Sequence, residues 1–385
     1  MTVSADLVIP AAGAAELAEI ASWDGLRAAT YARADFPVDV IRLQGSSSPP
    51  VSLSRARRAE ELKALPASLR SRADAALGRS ASPPASLRLG LDRFLDLQDG
   101  PVVMGVVNVT PDSFSDGGLS MDPEAAIARG LAMFEEGAAI VDVGGESTRP
   151  ATYDGPIREI SADEEIDRIA PVIAGLRRRT DRPISIDTRR STVARRALEL
   201  GADLVNDVSA LRHDEGMAAF VASAGAGLLI MHMRGEDPRT MQSDVSYRHP
   251  IADIAEALAG AAERALAAGV AREAIAVDPG LGFGKSPEGN LTLLRYLAAF
   301  RSLGFPVAVG ASRKGFVRRF SGVSETSPPA DRLPGSLAAA ASAAEAGAAI
   351  VRVHDVAETV RFLRMRRAIR SAVPALVAAA AAAGR

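Results

Sequence analysis

From Pro101 onward the chain alternates short, almost uniformly apolar runs with longer amphipathic stretches. The runs are Val102–Asn108, Ala139–Val143, Ile184–Asp187, Leu204–Asp207, Leu228–His232, Ile275–Asp278, Val307–Gly310 and Ile350–Val353. Runs this short and this apolar predict strands buried on both faces. The stretches between them, such as Pro123–Glu136, Ala162–Arg178, Thr192–Leu200 and Ile251–Ala268, predict helices. Several end on a Gly-Ala phrase, at Gly137-Ala138, Gly201-Ala202 and Gly347-Ala348. A glycine there ends a helix in the left-handed conformation, and the next strand follows at once. Eight such units in series predict an α/β fold, a closed (β/α)₈ TIM barrel. A doubly wound sheet would show fewer strands and a dinucleotide glycine fingerprint after the first.

The first ~90 residues have a different texture. Two strand-like runs, Ala5–Pro10 and Val38–Leu43, flank an Ala-rich helical stretch. A Ser/Pro linker follows at Ser46–Pro50, then a basic amphipathic helix from Arg55 to about Ala76 and a second Ser/Pro break over Ser80–Ser86. The predicted division is an accessory N-terminal extension over residues 1–90 and the barrel over residues 91–385. A small accessory unit is the plainer reading of the first part; a regulatory or partner-binding domain has less behind it.

Length and composition narrow the class. A chain of 385 residues suits a barrel of roughly 250 residues plus an extra piece. With 48% hydrophobic and 24% charged residues it can bury an ordinary core. The net charge of −2, with both signs interspersed, leaves no basic face for nucleic acid. The absence of cysteine excludes a disulfide framework, a thiol nucleophile and a Cys-ligated metal. No basic segment followed by an apolar one opens the chain, and the Ala-rich Val373–Gly384 stretch is too short to cross a bilayer. The expectation is a soluble, cytoplasmic protein with no membrane partner.

The unusual polar residues fall at the ends of the apolar runs. In order these ends are Asn108, Gly144–Arg149, Asp187, Asn206-Asp207, His232, Asp278, Ser312-Arg313-Lys314 and Arg352-Val353-His354. In a (β/α)₈ barrel they share one rim, the rim that builds active sites. Asp187, Asn206 and Asp278 suit the donor edge of a flat, nitrogen-rich heterocycle, since a carboxylate accepts from two adjacent N–H groups. Asn108, Arg352 and His354 supply amide, guanidinium and imidazole beside the last strand, a set suited to phosphate or diphosphate. Plainer roles exist for each. Asp187 and Asp278 read equally as helix N-caps, Asn206 as a turn residue and Arg313-Lys314 as a solvated pair. His232 reads best as a satisfied core histidine. The glycines of Gly280–Lys285 lack the phosphate-loop spacing and read as a tight turn that lets Phe283 and Lys285 reach the barrel mouth. Only four histidines exist, none at a metal-ligand spacing, so the expected metal is Mg²⁺ held largely by substrate oxygens.

Two stretches then carry a resemblance. Met104–Gly118 (MGVVNVTPDSFSDGG) and Asp142–Pro150 (DVGGESTRP) resemble the signatures of the dihydropteroate synthases. Further similar motifs follow in family order: Ser185–Thr188, Val205–Asp207, Met231–Met233, Asp278–Lys285, Ser312–Lys314 and Arg352–Asp355. The similarity spans about Phe94 to Arg370 and leaves the N-terminal part outside. It implies a transferase of folate biosynthesis that joins 7,8-dihydropterin-6-ylmethyl diphosphate to p-aminobenzoate, giving 7,8-dihydropteroate and diphosphate.

The resemblance also implies roles. Asp187, Asn206, Asp278 and Lys314 would hold the pterin ring, with Met233 packed on it. Asn108, Arg352 and His354 would hold the diphosphate, Asn108 also positioning Mg²⁺. Thr148, Arg149, Pro150, Phe283 and Ser312 would form the p-aminobenzoate pocket, with Gly310 among the substrate-lining residues. Asn108, Asp187, Lys314, Arg352 and His354 form the implied catalytic set. The loops of Asp112–Gly118 and Ser147–Pro150 would close over the site. Ala151 stands where the family usually has glycine, which puts the turn of the second loop in doubt. A pterin-binding methyltransferase would share the Asp/Asn pocket without needing the Asn108–Gly118, Ser312–Lys314 or Arg352–His354 groups. A synthase acting on a modified p-aminobenzoate separates poorly on sequence, and a silent paralogue should have lost residues that are present here. A homodimer is expected from the fold, with no interface fixed.

Overall fold

The computed structural model of the protein describes residues 3–12, 14–23, 38–44, 50–55, 58–90, 92–109, 122–146 and 159–372. Its N-terminal part is built on strands β1 (Leu7–Ala11), β2 (Val38–Arg42) and β3 (Val51–Ser54), paired antiparallel in that order. Helix α1 (Ala14–Trp23) lies between β1 and β2; α2 (Arg58–Lys63) and α3 (Ala67–Ala81) follow β3. The single helix expected from Arg55 is therefore two. Pro66 stands at the boundary with φ −53°, and a proline both lacks the N–H and disfavours helix in the residue before it. The break expected over Ser80–Ser86 is narrower than that, because α3 runs to Ala81 and Ser86 opens strand β4 (Ser86–Arg88). Strand β4 pairs with β5 (Phe94–Asp96) in a hairpin.

This part is joined to the rest through its apolar face. Leu7, Ile9, Leu17 and Ile20 share one buried cluster with Tyr296, Phe300 and Leu303. The backbone N–H of Val8 donates to Ser302 Oγ at 3.1 Å, and Tyr296 Oη donates to Glu19 at 2.8 Å. Trp23 lies edge-on to both His249 and Tyr296, with ring centroids 5.1 Å apart in each case.

Eight parallel strands follow: β6 (Val102–Asn108), β7 (Ile140–Gly144), β8 (Ile184–Asp187), β9 (Leu204–Asp207), β10 (Gly227–Met231), β11 (Ile275–Asp278), β12 (Ala308–Val309) and β13 (Ile350–Val353). They pair in the order β11-β10-β9-β8-β7-β6-β13-β12, and a parallel bridge between Val277 and Val307 closes the ring. Between and after them run α4 (Pro123–Glu136), α5 (Ala162–Arg177), α6 (Ser191–Glu199), α7 (Met217–Ala224), α8 (Pro250–Ala267), α9 (Pro287–Arg295), α10 (Gly315–Phe320), α11 (Leu333–Glu345) and α12 (Val356–Ser371). The helices start where capping chemistry allows. Asp122, Ser161, His249 and Ser286 each accept a backbone N–H at an N-cap. Gly137, Gly201 and Gly347 take φ of 106°, 104° and 83°, the left-handed turn expected of the Gly-Ala phrases. Among the described residues no helix is long and apolar enough to cross a membrane.

Side chains alternate across each strand. Val103, Val141, Ile184, Val205, Leu228, Ile275, Val309 and Val351 face outward into the cluster shared with the helices. Met104, Ile140, Leu204, Leu229, Ala276, Ala308 and Ile350 form a separate interior cluster with Leu87, Leu89, Leu95 and Leu97 of the β4–β5 hairpin. The hairpin thus floors the barrel at the strands' N-terminal ends, where Gly227 donates to Leu89 O at 3.2 Å. Its span straddles residue 90, so the chain on either side of that position packs into the barrel.

Candidate active site

Two residues beyond the interior apolar layer the chemistry changes. The same parity that points Ile140, Leu204, Ala276 and Ile350 inward points Asp142, Asn206, Asp278 and Arg352 inward one step higher. Asp142 is fully buried. Arg352 Nε donates to Asp142 Oδ2 at 2.6 Å and its Nη2 donates to Asp187 Oδ2 at 2.8 Å. Asn206 Nδ2 donates to the same Asp142 oxygen at 3.0 Å. Asp142 Oδ1 is buried with no protein hydrogen bond among the described residues.

Asp278 lies within electrostatic reach of Lys314, Lys285 and Arg352, and its Oδ1 accepts from Gly280 N at 2.6 Å. Neither Asp187 nor Asp278 caps a helix: the N-cap of α6 is Arg190, with no side-chain cap, and Asp278 turns the loop after its strand. Lys314 Nζ donates to Leu281 O and sits 4.5 Å above the Phe283 ring. It is presented by a strained turn. Arg313 has φ +60° and is held there by a bidentate pair with Asp355 and by its N–H on Ser336 Oγ at 3.1 Å. Ser312 Oγ meets both the backbone N and Nδ1 of His354 at 3.2 Å. A side chain added at Gly310 would begin 3.6 Å from Arg352 Cβ. At the outer end of β6 and β8, Asn108 Oδ1 and Asp187 Oδ2 each lie 3.8 Å from where a side chain on Gly144 would begin.

The charges perturb one another. Burial, with help from Asp142 and against the opposing Arg352 guanidinium, pushes the Asp187 carboxyl up to about 7. Burial likewise raises Asp278. Burial pulls Lys314 down to about 8, with Asp278 opposing. Neighbouring acids and bases with shifts this large are the mark of a reactive site.

The comparisons with known proteins agree with this geometry. The family described as "Pterin binding enzyme" matches residues 104–354. Dihydropteroate synthase of Escherichia coli is 41% identical over 278 residues, covering 72% of this chain and 94% of that protein. Dihydropteroate synthase of Mycobacterium leprae is 44% identical over 265 residues, covering 68% and 91%. This chain is a dihydropteroate synthase family member, and a transferase. A dihydropteroate synthase of Xanthomonas albilineans solved with 4-aminobenzoic acid superimposes with a TM-score of 0.68 at 40% identity, over 75% of this chain and 99% of that one. The same enzyme with 7,8-dihydropteroate gives 0.65 at 39%, over 75% and 100%.

Within this dihydropteroate synthase family chain, Asn206, Asp187, Asp278, Lys314 and Arg352 come together as the strand ends predict, with Phe283 beneath Lys314; Met233 is buried. His354 and Ser312 pair one step outward. Asp142 was not singled out from the sequence, although a lone acid inside an apolar run, Ile-Val-Asp-Val, is a usable signal. Lys285 corrects an expectation: it does not reach the mouth. Its Nζ is buried, bonding His232 Nδ1 at 2.8 Å and the carbonyls of His232 and Phe283 at 3.0 Å each. His232 is thereby the satisfied core histidine. Thr148, Arg149 and Pro150, the Asp112–Gly118 loop and Ala151 lie outside the described residues.

Proposed function

We propose that the protein joins 7,8-dihydropterin-6-ylmethyl diphosphate to p-aminobenzoate, releasing diphosphate and forming 7,8-dihydropteroate. The observation that carries this is the interior polar layer of Asp142, Asp187, Asn206, Asp278, Lys314 and Arg352 at the C-terminal ends of the strands. Acceptors and donors alternate there as the N–H and C=O edge of a pterin requires, and Asp142 Oδ1 is available to accept. Dihydropteroate synthase relatives with 4-aminobenzoic acid and with 7,8-dihydropteroate support the choice of acceptor and product.

The reaction exchanges one bond for another. The C–O bond to diphosphate breaks, the aniline nitrogen forms a C–N bond to the methylene carbon, and the nitrogen then loses a proton. Asp187, Asn206 and Asp278 orient the ring, and the two aspartates, as carboxylates, favour positive charge developing on it. Arg352, His354 and Asn108 face the departing diphosphate. Asn108 Oδ1 offers one hard oxygen at the rim, which suits Mg²⁺ held mainly by diphosphate oxygens; bound there, the ion would neutralise charge on the leaving group. Covalent attachment to the protein is not required.

The test is to incubate the purified protein with the pterin diphosphate, Mg²⁺ and p-aminobenzoate and follow diphosphate and dihydropteroate, with Arg352→Ala alongside. Product that needs both substrates and falls steeply in the variant supports the reading. Pterin binding without product would move the choice to a modified acceptor or to a silent paralogue, and no pterin binding would overturn it.

A further inference from the structure

Every backbone carbonyl from Gly280 to Gly284, in the turn after β11, has a partner. Gly280 O accepts from Phe283 N at 3.2 Å. Leu281 O accepts from Lys314 Nζ, Gly282 O from Gln242 Nε2 at 2.8 Å, and Gly284 O from Tyr247 Oη at 3.0 Å. Phe283 O accepts twice, from Lys285 Nζ at 3.0 Å and from Arg234 N at 3.3 Å. Arg234, Gln242 and Tyr247 all belong to the connection between β10 and α8, so that connection and the turn form one unit.

Lys285 is the buried link within this unit, and the chemistry above makes no use of it. Its Nζ lies 3.3 Å from where a side chain on Gly280 would begin. There it meets His232 Nδ1 at 2.8 Å and His232 O at 3.0 Å as well as Phe283 O. An ammonium has three donors, and three acceptors surround this one. Burial pulls the amine well below its ordinary range against the opposing pull of Asp278, and Lys314, Arg212 and Arg234 add to the fall. An apolar side chain would fill the same space without the cost of burying a charge. What lysine adds is a fixed connection from the Phe283 carbonyl to His232 at the end of β10.

The same turn supports an ammonium of the pterin layer. Lys314 donates to Leu281 O and stands 4.5 Å from the centre of the Phe283 ring. Leu281 and Phe283 flank Gly282, where a side chain would begin 3.1 Å from Lys314 Cδ. Both supports of Lys314 therefore move with the turn. We propose that Lys285 is a positioning residue for Lys314: by tying Phe283 to His232 it fixes the Gly280–Gly284 turn, and so holds the Lys314 ammonium where the pterin ring binds. This rests on the reading of Lys314 as part of the pterin layer.

The experiment is a double-mutant cycle on the full-length protein, with Lys285→Met, Lys314→Met and the two combined. Calorimetry measures the affinity for 7,8-dihydropterin-6-ylmethyl diphosphate from pH 6 to pH 10. Lys285→Met should weaken binding about tenfold, and in the Lys314→Met background it should cost less than about twofold more. A general loss of structure would instead add to the Lys314 loss. The alkaline limb of binding, set by Lys314 at about 8, should rise by about one unit in Lys285→Met as the released ammonium regains water. If Lys285→Met does not fold, Lys285→Gln, which keeps a side-chain N–H donor, carries the same cycle with a smaller first loss. Affinity unchanged in a folded Lys285 variant, losses that add in the double variant, or an alkaline limb that stays in place overturns the proposal. Wild-type protein that binds no pterin diphosphate would overturn the pterin reading itself, a separable result.

Discussion

Arg352 Nε and Asp142 Oδ2 stand 2.6 Å apart inside the barrel, joining strand β13 to strand β7 past the intervening β6. Asp142 is fully buried, and its protein partners there are Arg352 and Asn206. Removing one partner of such a pair leaves a buried charge uncompensated, at a cost of about 3–5 kcal/mol. Arg352→Ala should therefore unfold at markedly lower denaturant concentration, as well as lose turnover by about 100-fold or more. Denaturant titration and steady-state kinetics on the same preparation check both.

The site should work in a narrow pH band. Asp187 is pushed up to about 7 and Lys314 pulled down to about 8, so the carboxylate and the ammonium coexist most fully between those values. Pterin binding measured by titration calorimetry should strengthen as pH rises through about 7 and weaken above about 8. Asp187→Asn should remove the acid-side limb. Stability runs the other way. Because the folded state holds the Asp187 proton more tightly than the unfolded chain, its contribution is complete below the ordinary value of 3.8 and is lost as pH rises through about 7. The same variant should flatten that part of the stability profile.

Gly280 should tolerate no side chain. Its φ is +70°, and a Cβ would lie 1.9 Å from the carbonyl oxygen of His232. Gly280→Ala should cost about 2 kcal/mol or more and disturb the Asp278 turn that its N–H closes. The midpoint of thermal unfolding and the pterin affinity should fall together.

Mg²⁺ removal should separate binding from turnover. With EDTA, diphosphate release should stop while pterin ring binding to the interior layer persists. Asn108→Ala should raise the Mg²⁺ concentration needed for half-maximal rate.

The N-terminal part should be needed for a stable barrel. Deleting residues 1–81 would uncover Tyr296, Phe300 and Leu303, all buried against it. The truncated protein should unfold on the order of 10 °C lower, and light scattering should show it associating through the uncovered face.

The barrel was legible because its signal is repetitive: a short apolar run followed by a helical stretch, eight times over, several of the helices ending on a glycine. Five of the eight strands start and end at the expected residues, and the other three shift by one residue at both ends. The convergence of Asn206, Asp187, Asp278, Lys314 and Arg352 was legible for the same reason, since strand ends share a rim. What stayed hidden depends on partners distant in sequence. A strand buried on both faces shows no alternation, so the inward parity of Asp142 could not be read. Lys285 was expected at the barrel mouth because nothing in the sequence announces His232, 53 positions earlier, as its partner. The hold of Gln242 and Tyr247 on the Gly282 and Gly284 carbonyls spans separations of 40 and 37 residues and has no local signature.

Leu87, Leu89, Leu95 and Leu97 make the barrel a shaft closed at one end. Traffic through a blind shaft is last in, first out. A molecule seated on Asp142 and Asn206 must arrive before anything held at the rim, and the rim must clear before the deep occupant can leave. A rim-bound mimic of the acceptor would then imprison the pterin below it, so the pterin should leave more slowly when such a ligand is present than when it is alone.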